Sequence, residues 1–167
     1  MVFIQNEAGS RTKHYHNEKT LQFKRKAQVS RPYPFPYGFV LDTTAEDACN
    51  VDCFILTRRP LHTGEIVECE PVALMEQFED GQKDHNVLAT IPGEPALLGE
   101  AVKQQLTEFV SHVFDHVPGK KIAVGNFRSS EEALNYLAEH DGTKSGHLEI
   151  RAKSRSICAD LREKWSK

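Results

Sequence analysis

Residues 31–41 read Arg31-Pro32-Tyr33-Pro34-Phe35-Pro36-Tyr37-Gly38-Phe39-Val40-Leu41. Prolines at alternate positions fix φ and remove backbone donors, so this stretch cannot be helical and must run extended with rigid corners. It ends in Phe39-Val40-Leu41, a short apolar run that reads as a strand. Upstream, Phe3-Ile4 and Leu21-x-Phe23 also read as strands, and the polar turn Asn17-Glu18-Lys19-Thr20 suggests a hairpin. Downstream, Val51–Leu56, Glu65–Val72 and Asn86–Ile91 read as strands, punctuated by Gly64, Gly81, Pro92 and Gly93.

Past Pro92 the period changes. Val102, Leu106, Phe109, Val110 and Val113 recur at helical spacing, and Pro118-Gly119 is the expected stop. A strand is expected at Lys121–Val124. Ser129 and Glu132 have capping-box spacing and open a second helix through Leu134 and Leu137. Ile157, Leu161 and Trp165 mark a third, C-terminal helix. Strands first and helices after define an α+β class, expected as a small barrel with helices packed outside. No repeat or internal boundary appears, so residues 1–167 read as a single domain.

The 167 residues are 39% hydrophobic and 27% charged, which supports a globular core and excludes a disordered or collagen-like chain. No apolar run approaches the roughly 20 residues of a membrane span. The start, MVFIQNEAGS, lacks a secretory pattern. A pI near 6.2 argues against general nucleic-acid binding. A cytoplasmic protein with no membrane and no nucleic-acid partner is the expectation. The net charge of −3 conceals segregation. Residues 1–31 hold seven basic side chains against two acidic, a net of +5, whereas residues 65–84 hold seven acidic against Lys83 alone, a net of −6. Such runs suit solvated faces, or acidic loops that hold cations beside basic segments that hold an anion.

Cys49, Cys53, Cys69 and Cys158 are expected reduced in a chain without an export signal. Their spacing is not that of a zinc finger. His14-Tyr15-His16 places two imidazoles on one side of a strand, an arrangement able to bind a transition metal.

Two segments concentrate carboxylates beside strands: Asp47-Ala48-Cys49-Asn50-Val51-Asp52 and Glu79-Asp80-Gly81-Gln82-Lys83-Asp84. Acidic loop ends converge easily at one end of a barrel. Hard divalent cations, Mg²⁺ above all, take oxygen ligands and often keep several waters. Clustered carboxylates repel one another, so their ionised state makes best sense with a cation present.

The order of landmarks now resembles the soluble family I inorganic pyrophosphatases. It runs Tyr33-Pro-x-x-Tyr37-Gly38-Phe39, Asp47-x-x-x-x-Asp52, Pro60-Leu61-x-x-Gly64, Pro71-Val72-Ala73, Glu79-Asp80-x-x-x-Asp84 and Leu88-Ala89-x-x-Pro92. The resemblance implies a five-stranded OB-like β-barrel flanked by helices and hydrolysis of pyrophosphate to two phosphates with several Mg²⁺ ions, Mn²⁺ being an alternative. It further implies that Asp47, Asp52 and Asp84 bind the metals that activate water, and that Glu79 and Asp80 help hold further metals. By the same resemblance Lys13, Arg25 and Tyr37 contact phosphate, and Asp47, Asp52 and Tyr37 form the catalytic group. A homo-oligomer is implied too, a hexamer from the chain's compact length or a dimer as in eukaryotic members. His112 falls near a helix histidine used in bacterial subunit contacts.

The pattern also breaks. The family motif Asp-Gly-Asp-Pro-x-Asp appears here with Cys49 at its middle aspartate, the proposed general base. Asn86 replaces an expected lysine, Val113-Phe114 an expected Tyr-Lys pair, and Tyr15 an expected glutamate. Lys83, Arg58, Arg59 and His85 are candidates to compensate. Two readings follow: a divergent pyrophosphatase of reduced activity, or an impaired relative that binds metal or a phosphate ligand. Hydrolysis of another phosphate anhydride is a third reading.

Overall fold

The computed structural model describes residues 1–143; the expected C-terminal helix at Ile157–Trp165 lies outside them. Ten strands and two helices follow in order: β1 Val2–Asn6, β2 Thr12–His16, β3 Phe23–Gln28, β4 Tyr37–Val40, β5 Asp52–Ile55, β6 Ile66–Val67, β7 Glu70–Glu79, β8 Gln82–Lys83, β9 Asn86–Thr90, α1 Glu100–His112, β10 Ile122–Arg128 and α2 Ser130–Glu139. The class is α+β. No helix among the described residues is long and apolar enough to cross a membrane.

The main sheet runs β10-β7-β9-β5-β4-β1-β6, with β8 paired to β7, while β2 and β3 form a separate antiparallel hairpin. Its five central strands are β7, β9, β5, β4 and β1. The proline segment delivers the chain into β4 against β1, where Gly38 faces Ile4. A Cβ on Gly38 would lie 1.8 Å from the Phe3 carbonyl oxygen, so only glycine permits this approach.

One side of the core is aromatic. Tyr33 meets Phe109 at 4.8 Å, Tyr37 meets Phe54 at 4.9 Å, and Leu106 and Val110 of α1 pack with them. The other side joins Val2, Ile4, Val51, Cys53, Ile55 and Val87 to Ala133 and Tyr136 of α2. Helix α2 begins as the sequence indicates: Ser129 Oγ accepts from the Glu132 N–H, and the Glu132 carboxylate accepts from the Ser129 N–H.

Four expectations need correction. The single strand expected at Glu65–Val72 is two strands, and β7 continues to Glu79, so Glu79 closes a strand rather than starting a loop. Leu21 lies outside β3, with φ of +61° in the hairpin turn. Helix α1 ends at His112, before Pro118-Gly119 is reached. Finally, Cys53 and Cys69 are free thiols as expected, but Cys49 is disulfide-bonded.

Candidate active site

Sheet topology gathers the acidic residues. β5 and β9 are parallel neighbours with Asp52 opposite Asn86, so both strands start at the same end of the sheet. Antiparallel β7 brings its C-terminal end to that edge, and the β7–β8 hairpin turns through Asp80-Gly81. Both turn residues have positive φ, +51° and +83°, the two-residue geometry that asparagine or aspartate followed by glycine favours.

The result is a cavity of about 310 Å³ lined by Asp47, Asp52, Glu79, Asp80 and Asp84, all five expected acidic residues. Lys13 and Tyr37 line it as well. Arg25 is not on its wall: the guanidinium lies 4.0 Å from the ring of Tyr15, and Tyr15 faces the cavity. Of the four proposed compensating residues, only Lys83 lines the cavity. Arg59 pairs with Glu94 at 2.9 Å, and His85 is buried against Gln77 and Phe78.

Four of the five carboxylates, Asp47, Glu79, Asp80 and Asp84, are held by neighbouring side chains or backbone N–H groups. Asp84 Oδ2 accepts from Gln77 Nε2 at 2.8 Å, and Gln77 Oε1 accepts from Asn86 Nδ2 at 2.7 Å. Asn86 therefore replaces a cation with an amide that fixes the bearing of Asp84 through Gln77. Asp80 Oδ1 accepts from the Lys121 N–H at 3.0 Å, and Glu79 is paired with Lys120. In the other segment Asp47 Oδ1 accepts from the Cys49 N–H at 2.9 Å. Ala48 there takes φ of +66°, in a position where the motif has glycine. Glu18 reaches over from the β2–β3 turn to accept from the Asn50 N–H, tying the loop to the hairpin. Cys49 is buried and is not among the cavity residues.

Lysines and aromatic rings line the same cavity as the acids. Lys13, only 8% exposed, holds its Nζ 5.5 Å from the Tyr37 ring centre and 5.2 Å from that of Phe114. Lys120 lies 4.7 Å from the Phe114 ring centre and, from beyond α1, pairs with Glu79 of the acidic segment. Sequence spacing pointed to neither Lys120 nor Gln77. Lys120 follows the Pro118-Gly119 turn, and its only local signal was a basic pair, Lys120-Lys121.

The donor set is oxygen-only, which suits a hard divalent cation. Among the described residues, however, no three His, Cys, Asp or Glu side chains converge into a metal cage. That geometry fits an ion taken by one or two carboxylates with water and phosphate oxygens filling the remainder, the mode in which Mg²⁺ is usually bound.

Acids from two segments and three lysines, Lys13, Lys83 and Lys120, thus share one small cavity at one end of the sheet. The inorganic pyrophosphatase family model matches residues 2–142, and the chain belongs to that family. It is 30% identical over 157 residues to an inorganic pyrophosphatase of Methanosarcina acetivorans, covering 89% of this chain and 92% of the relative. A Sulfolobus acidocaldarius inorganic pyrophosphatase is 25% identical, covering 81% and 86%. Among solved structures, the inorganic pyrophosphatase of Thermus thermophilus superposes with a TM-score of 0.76 at 25% identity, covering 84% of this chain and 88% of that one. That of Coxiella burnetii gives 0.75 at 22%, covering 83% and 90%. The OB-like expectation for the sheet agrees with these folds.

Proposed function

We propose that the protein hydrolyses inorganic pyrophosphate to two phosphates in a reaction that depends on Mg²⁺, with Mn²⁺ as a substitute. The observation that carries this reading is the convergence of five carboxylates and three lysines, Lys13, Lys83 and Lys120, on one 310 Å³ cavity. Asp47, Asp52 and Asp84 hold cations on the water side, and Glu79 and Asp80 serve cations on the phosphate side. Bound divalent ions lower the pKa of water and neutralise the leaving phosphate. Lys13 and Lys120 orient the anion, Lys120 from beside Glu79, while Tyr37 lies beside Lys13 and Arg25 acts through Tyr15. The attacking water oxygen forms a new P–O bond as the bridging P–O bond breaks, and the protons pass to the carboxylate side and the phosphate products.

The second reading, a relative that binds phosphate without efficient turnover, is favoured by Cys49. A sulfur engaged in a disulfide has no proton to exchange and cannot replace the motif's middle carboxylate. Phosphate release from pyrophosphate by untagged wild type and by Asp52→Asn separates the readings. Turnover by wild type that disappears in the variant supports hydrolysis; pyrophosphate binding without release supports the binder. A cytoplasmic homo-oligomer, hexameric or dimeric, belongs to the same proposal. His112 itself is engaged within the chain, with Nδ1 3.0 Å from Asp115 and Nε2 3.8 Å from Glu108.

A further inference from the structure

Strand β2 alternates two kinds of side chain. Lys13 and Tyr15 line the acidic cavity, so strand periodicity turns His14 and His16 to the other face. There both imidazoles lie near the ring of Phe23 on β3, with centres 6.1 and 5.8 Å away, and His16 meets Phe3 edge-on at 4.9 Å. The His14 backbone N–H is satisfied by Asn6 Oδ1 at 2.7 Å. The rings are not. Nδ1 of His14 and Nδ1 of His16 are both buried and neither has a hydrogen-bond partner among the described residues. Asn6 Nδ2, next to the His14 backbone, is a third buried polar atom without a partner there. Leaving one such group unsatisfied costs about 1–3 kcal/mol, so two orphaned imidazole nitrogens on one strand face call for a ligand.

We propose that His14 and His16 form a transition-metal site, separate from the carboxylate cavity, that takes an imidazole-seeking ion such as Cu²⁺ or Zn²⁺. Neutral imidazoles favour these ions, whereas the oxygen-only cavity favours Mg²⁺, so the two sites select different metals. Among the described residues no third His, Cys, Asp or Glu joins the pair, so the two imidazoles are the protein ligands proposed. An ion held there braces from behind the strand that presents Lys13 to the cavity.

The test is a Cu²⁺ titration of the untagged full-length protein in excess Mg²⁺, followed by electron paramagnetic resonance. The expected result is about one equivalent of tightly held Cu²⁺ whose spectrum shows imidazole nitrogen coupling, as the affinity order of divalent ions favours copper. Affinity should weaken at least about tenfold in His14→Gln and in His16→Gln, and stay unchanged in Asp84→Asn. Absence of nitrogen coupling in the wild-type spectrum overturns the proposal without any variant. Equal affinity in wild type and in the folded double variant His14→Gln/His16→Gln also overturns it, with circular dichroism reporting the fold.

Discussion

The two acid-bearing segments reach the same cavity by different means. Glu79–Asp84 takes its turn from a local signal, an Asp80-Gly81 pair with both φ values positive between a long strand and a short return strand, with Lys120 and Lys121 then holding Glu79 and Asp80. Asp47–Asp52 depends on the rest of the molecule. Its turn bends through a non-glycine residue, Ala48, and it is tied to the β2–β3 hairpin by Glu18. A locally specified turn keeps its shape when its neighbours change; a turn held by distant contacts can drift in sequence, and the replacement of the motif's central aspartate by Cys49 lies in the second kind.

The largest effects should come from removing a carboxylate from either segment. Asp52→Asn and Asp84→Asn should each lower phosphate release by about 10²–10⁴, the range set by losing a group that handles the attacking water. An effect confined to one of the two would show that only one segment takes part in the chemistry. Next is Gln77→Ala, which removes the Gln77 side-chain bond to Asp84 without touching Asp47. Metal affinity measured by calorimetry should fall about 10–100-fold, as it does when a group orienting a metal ligand is lost. Cys49→Asp, which removes the disulfide and restores the motif, should raise the rate about tenfold or more if the phosphate side is assembled. No gain would place the deficit with Lys13 and Lys120.

Backbone substitutions sharpen the same contrast through stability. Ala48→Gly should stabilise the protein, and Gly81→Ala should destabilise it, each by about 1–2 kcal/mol, because both positions hold positive φ. Urea denaturation reads both. The smallest effect concerns pH at the clasp behind the Asp47 loop, where Tyr136 donates to Glu46 at 2.7 Å and His140 lies 3.2 Å from the same carboxylate. Burial raises the pKa of Glu46, but bonds from His140 and Tyr136 outweigh it and bring it down to about 2. The bond to Glu46 raises that of His140 against the opposing effect of burial. The Glu46 contribution is present above its ordinary 4.5 and fades as pH falls toward 2. The His140 contribution is present below its ordinary 6.5 and fades as pH rises through its raised value. Thermal unfolding should therefore show a decline on the alkaline side that His140→Gln flattens.

Legibility in the sequence follows the same division. The capping box at Ser129, the Asp80-Gly81 turn and the apolar stripe from Val102 to Val113 are local signals, and each appears in the structure where its residues indicate. β7 runs past Val72, where the expected strand stops, through the polar residues Glu76, Gln77 and Glu79. Pairing with β9, β10 and β8 is what keeps them in the strand. The five acidic residues could be named from motif order, but Lys120 and Gln77 could not. One comes from beyond α1, and the other is recognisable only by its hydrogen bonds to Asp84 and Asn86. Arg25 matched by position, yet its place behind Tyr15 depends on how the hairpin is packed.

The central claim is that these carboxylates make a metal-dependent phosphoanhydride site. Its most direct test is phosphate release from pyrophosphate by the untagged wild-type protein across a Mg²⁺ titration, with a chelator control. The account predicts release that rises with Mg²⁺, saturates and stops on chelation; no release at any Mg²⁺ concentration, or release indifferent to the chelator, would contradict it.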